Sequence, residues 1–310
     1  MNTNTGSFIM RVSGKFLVLP LLLIVFCPCF VWGAADNATA RANVFVSILP
    51  QAYFVERVGG SRVEVHVLVG PGQSPHSYEP TPKQMTMLTA ADIYFKIGLP
   101  FEDRLFNKIM GITKKILIAD TSRGIKLRPL EEAGEDAHER GRHDPHIWLD
   151  PMLIAVQADI ICDALCARDP LHADDYRKNL RQFRADLNAL DAEIRKKLEP
   201  FRGRELFVFH PAFGYFADAY GLTQVAIETA GKEPGSKSLA AVLDRAKKSG
   251  AKVIFAERQF SPKSAEAVAR QIGAGVVSLD PLARDCFQNF TFITDQIVSS
   301  FSQQGQRHGQ

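Results

Sequence analysis

The feature that most constrains the fold is one long apolar stripe near the middle of the chain. Tyr176, Leu180, Phe183, Leu187, Leu190, Ile194 and Leu198 recur at spacings of three and four residues across positions 174–199. That period puts them on one face of a single helix, which must bury that face against other elements. Pro200 and Gly203 end it.

On either side the pattern changes to short strands alternating with helical stretches. Residues 43–49, 63–69, 92–98 and 115–119 read as strands before the long helix, and 205–209, 224–228, 252–256 and 275–279 after it. Pro50 is taken to close the first strand. A helix over 52–58 stops at Gly59-Gly60, and Thr81-Pro82 and Asp150-Pro151 each join an N-cap residue to a proline at the first helical position. The second of these opens a helix over 152–167, and the last helix covers 287–301. Alternating strands and helices imply parallel sheets covered by helices. The expectation is an α/β fold of two parallel-sheet βα lobes joined by one long rigid backbone helix, with a cleft between the lobes. The boundaries are a signal peptide at 1–35, an N-terminal lobe at 36–170, a linking helix at 171–200 and a C-terminal lobe at 201–310.

The targeting segment rests on Arg11 and Lys15 ahead of an apolar run over 16–32, followed by Gly33-Ala34-Ala35. The run is shorter than the roughly 20 residues a spanning helix needs, and Pro20 and Pro28 interrupt it. Cleavage near Ala34 or Ala35 would leave a mature periplasmic chain, and translation of the precursor starts at either Met1 or Met10. An uncleaved anchor is the alternative; a lipoprotein at Cys27 lacks the small residues that usually precede the attachment site. The composition, 46% apolar and 23% charged over 310 residues, suits two lobes, and a formal charge of +3 with no basic run interleaved with aromatics gives no reason to expect a nucleic-acid partner. Cys162, Cys166 and Cys286 are the mature cysteines. An odd count leaves at least one free thiol, Cys162 and Cys166 share a helix face poorly disposed for a disulfide, and all three read as small buried apolar residues.

Four short segments carry metal-binding side chains beside prolines: Ser74-Pro75-His76, Asp144-Pro145-His146, Phe209-His210-Pro211 and Leu279-Asp280-Pro281. Prolines narrow local backbone freedom and pre-organise the neighbouring side chain, although they also simply end strands. His76, His210 and Asp280 follow strands, where open α/β sheets bind their ligands. The expected site is therefore one ion bridging the cleft, held by His76, His146, His210 and Asp280. Three imidazoles and a carboxylate suit four-coordinate Zn²⁺, whereas Mn²⁺ favours more oxygen. Single histidines are more often hydrogen-bonded or exposed than ligating, and His66, His172 and His308 are read that way. His138, in a polar loop over 130–142 expected to be mobile, and His143 just after it are either weak scavenging ligands or solvated. Asp150 is better explained as an N-cap.

At these residues the chain closely resembles the manganese/zinc class of solute-binding proteins of bacterial ABC importers, typified by ZnuA and TroA. Gly70-Pro71-Gly72-Gln73-Ser74-Pro75-His76-Ser77-Tyr78-Glu79-Pro80 looks like that family's first ligand loop, and Asp144-Pro145-His146-Ile147-Trp148-Leu149-Asp150-Pro151 resembles its second. Phe209-His210-Pro211-Ala212-Phe213-Gly214-Tyr215 matches the third in its histidine form, and Leu279-Asp280-Pro281-Leu282 the fourth. The resemblance covers nearly the whole mature chain. It implies two lobes on a rigid helix, Zn²⁺ captured in the periplasm as the transported ligand, and delivery by a monomer to an inner-membrane ABC permease with its ATPase. It also implies that Glu257 lies near the cleft, behind the ligands or beside water. The loop before His146 is shorter and poorer in histidine than in many zinc-specific members, and the C-lobe disulfide of some relatives has no counterpart.

Three alternatives remain at this point: a manganese or iron carrier of the same fold, a surface adhesin, and a zinc hydrolase. A hydrolase would need an open metal position, with Glu257 as its base. No His-Glu-x-x-His occurs, so the expectation is not an enzyme.

Overall fold

Met1 and residues 41–130, 143–228, 235–260 and 262–305 are described in the computed structural model. Two four-stranded parallel sheets organise them. The first comprises β1 (Ala42–Val46), β2 (Val63–Val67), β3 (Ile93–Lys96) and β4 (Leu117–Asp120), in the order β2-β1-β3-β4. The second comprises β5 (Glu205–Val208), β6 (Thr223–Ala226), β7 (Val253–Glu257) and β8 (Gly275–Leu279), in the order β6-β5-β7-β8. Both sheets thus switch direction at their first strand, between β1 and β3 in one and β5 and β7 in the other. Loops leaving the carboxyl ends of strands on either side of such a switch diverge and leave a crevice.

The helices are α1 (Leu49–Gly59), α2 (Pro82–Thr89), α3 (Pro100–Ile112), α4 (Pro151–Arg168), α5 (Ala173–Leu198), α6 (Gly214–Tyr220), α7 (Ser236–Lys248), α8 (Pro262–Ile272) and α9 (Cys286–Gly305). The long helix α5 buries Tyr176, Phe183, Leu187, Leu190, Ile194 and Leu198, with Leu180 half-buried. It packs on α1 and α4 from the first half and on α9 from the second. Arg57 of α1 lies over the Phe183 ring at 4.6 Å and the Phe287 ring at 5.5 Å, tying α1, α5 and α9 together. One continuous apolar core runs from the first sheet through α4 and α5 to Leu206, Val208 and Phe290 of the second half. The outer side of the second sheet holds two smaller clusters, one around Ile254, Ala265 and Val268 and one around Phe207, Val225 and Ala246. Because the main core crosses the joint between the sheets, separating them would expose apolar surface.

Local chemistry explains the element ends. Thr81 Oγ1 accepts from Gln84 N at 3.3 Å, and Asp150 Oδ1 accepts from Met152 N at 2.7 Å, so both expected caps start helices. Pro50 acts differently from the expectation: β1 closes at Val46, and the proline lies in the first turn of α1, where its missing N–H costs nothing. Gln51 reaches back so that its Oε1 accepts from Ser47 N at 3.0 Å, fixing the turn. Cys162 and Cys286 are buried as expected, but Cys166 is only half-buried, its thiol donating to Ala173 O at 3.7 Å.

Residues 131–142 lie outside the described residues, and His138 and the expected loop with them. The described ends of that segment are drawn together: Asp144 N donates to Arg128 O at 2.9 Å, and Pro129 forms a bridge with His143, which is exposed. Among the described residues, no helix is long and apolar enough to cross a membrane.

Candidate metal centre

Each histidine reaches the cleft by a different local device. His76 rides on the loop after β2, which turns at Gly72 with φ 75°, a left-handed conformation that favours glycine. His76 N donates to Ser74 Oγ at 3.3 Å, and the buried Tyr78 packs edge-on against Phe101, holding the far side of the loop. His146 follows Asp144-Pro145. The Asp144 carboxylate turns back on its own backbone so that Oδ1 accepts from His146 N at 2.9 Å and pairs with His146 Nδ1 at 2.7 Å. His210 leaves the end of β5, at the switch point of the second sheet. Its backbone N donates to Glu257 Oε2 at 3.1 Å, its Nδ1 pairs with Glu228 Oε1, and Phe260 stacks on its ring at 4.8 Å.

These devices aim three ring nitrogens at one point. His76 Nε2 lies 3.2 Å from His210 Nε2, and His146 Nε2 lies 3.3 Å from it. The three nitrogens all fall within 4.8 Å of one another. With each Nδ1 facing a carboxylate oxygen, the Nε2 atoms of His146 and His210 are the ones turned toward each other. A cation between them would be coordinated by both. Tetrahedral Zn–N bonds of roughly 2.0–2.1 Å put ligand nitrogens about 3.3 Å apart, close to the two separations measured from His210 Nε2. Pro75, Leu99, Trp148, Phe260, Pro281 and Leu282 wall the cleft with apolar surface. Such walls exclude water and strengthen the interactions of any ion held there.

His146 and His210 are each 3% exposed, and His76 is half-buried. Burial, opposed by the Glu228 carboxylate, lowers the pKa of His210, which favours the neutral, ligating form. Burial also pushes Glu257 well above the ordinary carboxylate range, against the two backbone N–H groups it accepts from and with the charge of Glu228 adding to the rise. Beside the wall residue Leu99, the buried Glu102 accepts from the backbone N–H groups of Ile97, Gly98 and Leu99 at 3.0, 2.7 and 3.0 Å, and burial pushes its pKa up to about 6.

Asp280, the fourth residue read from the sequence, is not among the side chains that converge with the three histidines. It follows β8, and its Oδ1 accepts from Leu282 N and from Gln259 Nε2, each at 3.0 Å. Its neighbours Gln259, Pro281 and Leu282 line the cleft. Glu257 sits behind His210 rather than in the cleft, where it could not meet a substrate as a base. His66 stacks on Phe45 at 4.9 Å and His172 Nδ1 pairs with Asp169 at 2.7 Å, both away from the cluster, as expected. Sequence reasoning missed three supporting residues. Asp144 was visible as an aspartate two residues before a histidine. Trp148, whose Nε1 donates to Pro281 O across the cleft at 2.8 Å, and Glu228 depend on distant partners and had no local signature.

Comparison with known proteins agrees with this geometry. Residues 44–298 match the family described as ZnuA, zinc-uptake complex component A, periplasmic. The chain belongs to the ZnuA family. The high-affinity zinc uptake system protein ZnuA of Bacillus subtilis is 30% identical over 290 residues, covering 87% of this chain and 88% of its own. A crystal structure of ZnuA superposes with a TM-score of 0.79 at 40% identity, covering 84% of this chain and 99% of that one. A ZnuA deletion mutant with zinc bound superposes with a TM-score of 0.78 at 39% identity, covering 84% and 98%. The ZnuA fold, two α/β lobes joined by a long helix, is the one the α5 stripe implied. These relatives are binding components of uptake systems and not enzymes, which removes the hydrolase alternative.

Proposed function

We propose that this protein captures Zn²⁺ outside the cytoplasmic membrane and delivers it to an ABC-type permease driven by its ATPase. The observation that carries the reading is the convergence of His76, His146 and His210 on one point with the far ring nitrogens of two of them held by carboxylates. That arrangement supports a small divalent cation, and three imidazole donors favour zinc over manganese. Asp280 acts as the fourth ligand once its carboxylate turns from Gln259 into the cleft, closing the shell and leaving no position for chemistry. The protein works as a monomer in the periplasm after removal of residues 1–35, with lobes at 36–170 and 201–310 and the linking segment between them. Membership of a periplasmic zinc-uptake family supports this placement.

The test is competitive metal titration of the chelator-stripped mature protein with Zn²⁺ and Mn²⁺, alongside His146→Ala, His210→Ala and Asp280→Ala. One tight zinc equivalent that manganese cannot displace, weakened by each substitution, is the expected result. A preference for manganese, or unchanged zinc affinity in the histidine variants, rejects it.

A further inference from the structure

We propose that Glu228 is a positioning residue that makes His210 a metal ligand, by holding the proton of the ring on Nδ1 and keeping Nε2 free for the ion. This rests on the reading of His210 as a zinc ligand. Glu228 follows β6, and β6 lies beside β5, whose end carries His210, so strand order alone brings residues eighteen positions apart into contact. The carboxylate is 2% exposed and meets the Nδ1 of a ring that is itself 3% exposed.

The geometry makes this contact more than packing. A neutral imidazole carries its proton on either nitrogen, and only the Nδ1–H form presents a lone pair at Nε2. Were the proton on Nε2, it would point into the space shared with His76 Nε2 and His146 Nε2, at 3.2 and 3.3 Å, and occupy the place of the ion. The ring is already fixed in plane by Phe260 and its backbone by Glu257, so what Glu228 adds is the choice of nitrogen. It also adds negative charge that makes the ligating nitrogen more basic. The two histidines held by carboxylates differ in this respect. Asp144, behind His146, has its Oδ2 3.8 Å from Arg128 Nε, which shares its charge. Among the described residues, the ion pair recorded for Glu228 is with His210. Its second oxygen, Oε2, is buried with no hydrogen-bond partner among the described residues, and its charge acts on both His210 and Glu257. Outer partners of this kind set metal affinity by about 10–100-fold.

The test uses the full mature chain, stripped of metal, as wild type, Glu228→Ala, Glu228→Gln and His210→Ala. Zinc affinity is measured by competition, the apo melting temperature by circular dichroism, and the His210 tautomer by ¹⁵N NMR of the imidazole. Glu228→Ala should weaken zinc about 10–100-fold and move His210 from a single Nδ1–H form to a mixture. Glu228→Gln, which keeps an acceptor oxygen of the same reach but not the charge, should retain the tautomer and fall between the two in affinity. If Glu228→Ala also lowers the apo melt severely, the isosteric Gln variant decides: weaker zinc with the tautomer kept supports the role, and wild-type affinity overturns it. Unchanged affinity or tautomer in Glu228→Ala, with zinc lost in His210→Ala, overturns the role of Glu228 alone. Wild-type zinc affinity in His210→Ala removes the site reading itself, and this inference falls with it.

Discussion

Gly214 is where the second lobe presses on the support of His146. A Cβ at this position would stand 2.7 Å from Arg128 Nε, 2.9 Å from Arg128 Cζ and 2.9 Å from Asp144 Oδ2. These distances are well inside the ~3.5 Å at which nonbonded heavy atoms rest. Neither neighbour can retreat freely. Arg128 donates from Nη1 to Gly214 O at 3.0 Å and pairs with Asp218, and its backbone is held by Tyr215 Oη at 2.9 Å and by Asp144 N. Asp144 is committed to both the backbone N and the Nδ1 of His146. Gly214→Ala should therefore cost about 1–3 kcal/mol by overpacking, lowering the melting temperature by roughly 2–10 °C for a chain of this size. Because Asp144 must move, zinc affinity should fall by about 10-fold, at the lower end of what loss of an outer partner does. Gly111 is the control: it lies in α3 and a Cβ there meets nothing within 4 Å, so Gly111→Ala should be neutral or stabilise by up to about 1 kcal/mol. The assays are thermal melts of the apo forms and zinc competition. A Gly214→Ala protein with wild-type melt and wild-type affinity would refute the reasoning, as would equal losses in Gly111→Ala.

Other consequences can be measured on the same material. Since burial lowers the pKa of His210, protons compete with zinc at this ligand only as pH falls below 6.5. Apo stability should fall in the same direction, because the unfolded histidine binds a proton that the buried one resists; affinity or stability that rises on acidification would contradict this. Trp148, the one tryptophan among the described residues, has its ring 5.1 Å from the His146 ring, so zinc should change its emission in a saturable way with one equivalent. Trp148→Phe should cost about 1–3 kcal/mol in denaturant unfolding, because Pro281 O loses its buried donor; an unchanged midpoint counts against that bond. Because one core spans both lobes, the radius of gyration by X-ray scattering should be the same with and without zinc, and a clear contraction would show a hinge that this packing does not provide.

What could be read from the sequence was what is local or periodic. The α5 stripe declared itself because seven apolar residues share one helical face, and the strands did so because each is a short apolar run between turns. The three histidines were legible through their prolines, and Asp144 could have been, since an aspartate two residues before a backbone N–H is a local turn. Pro50 misled because proline both ends strands and begins helices, and only the packing of α1 decides which. Glu228 was hidden in another way: its meaning comes from β6 lying beside β5, a fact of strand order that no single segment encodes. Asp280 was read from the sequence as a fourth ligand, but in the structure its carboxylate accepts from Gln259 and Leu282 and stays out of the histidine cluster, an engagement with a neighbouring loop that no single segment encodes.

The most direct measurement is a crystal structure of the zinc-loaded mature protein with diffraction collected on both sides of the zinc absorption edge. The expected result is one anomalous peak bonded to His76 Nε2, His146 Nε2 and His210 Nε2 at roughly 2.0–2.1 Å, with the Asp280 carboxylate turned from Gln259 to complete the shell. A peak elsewhere, or an ion bound through fewer than these three nitrogens, would contradict the site on which the function rests.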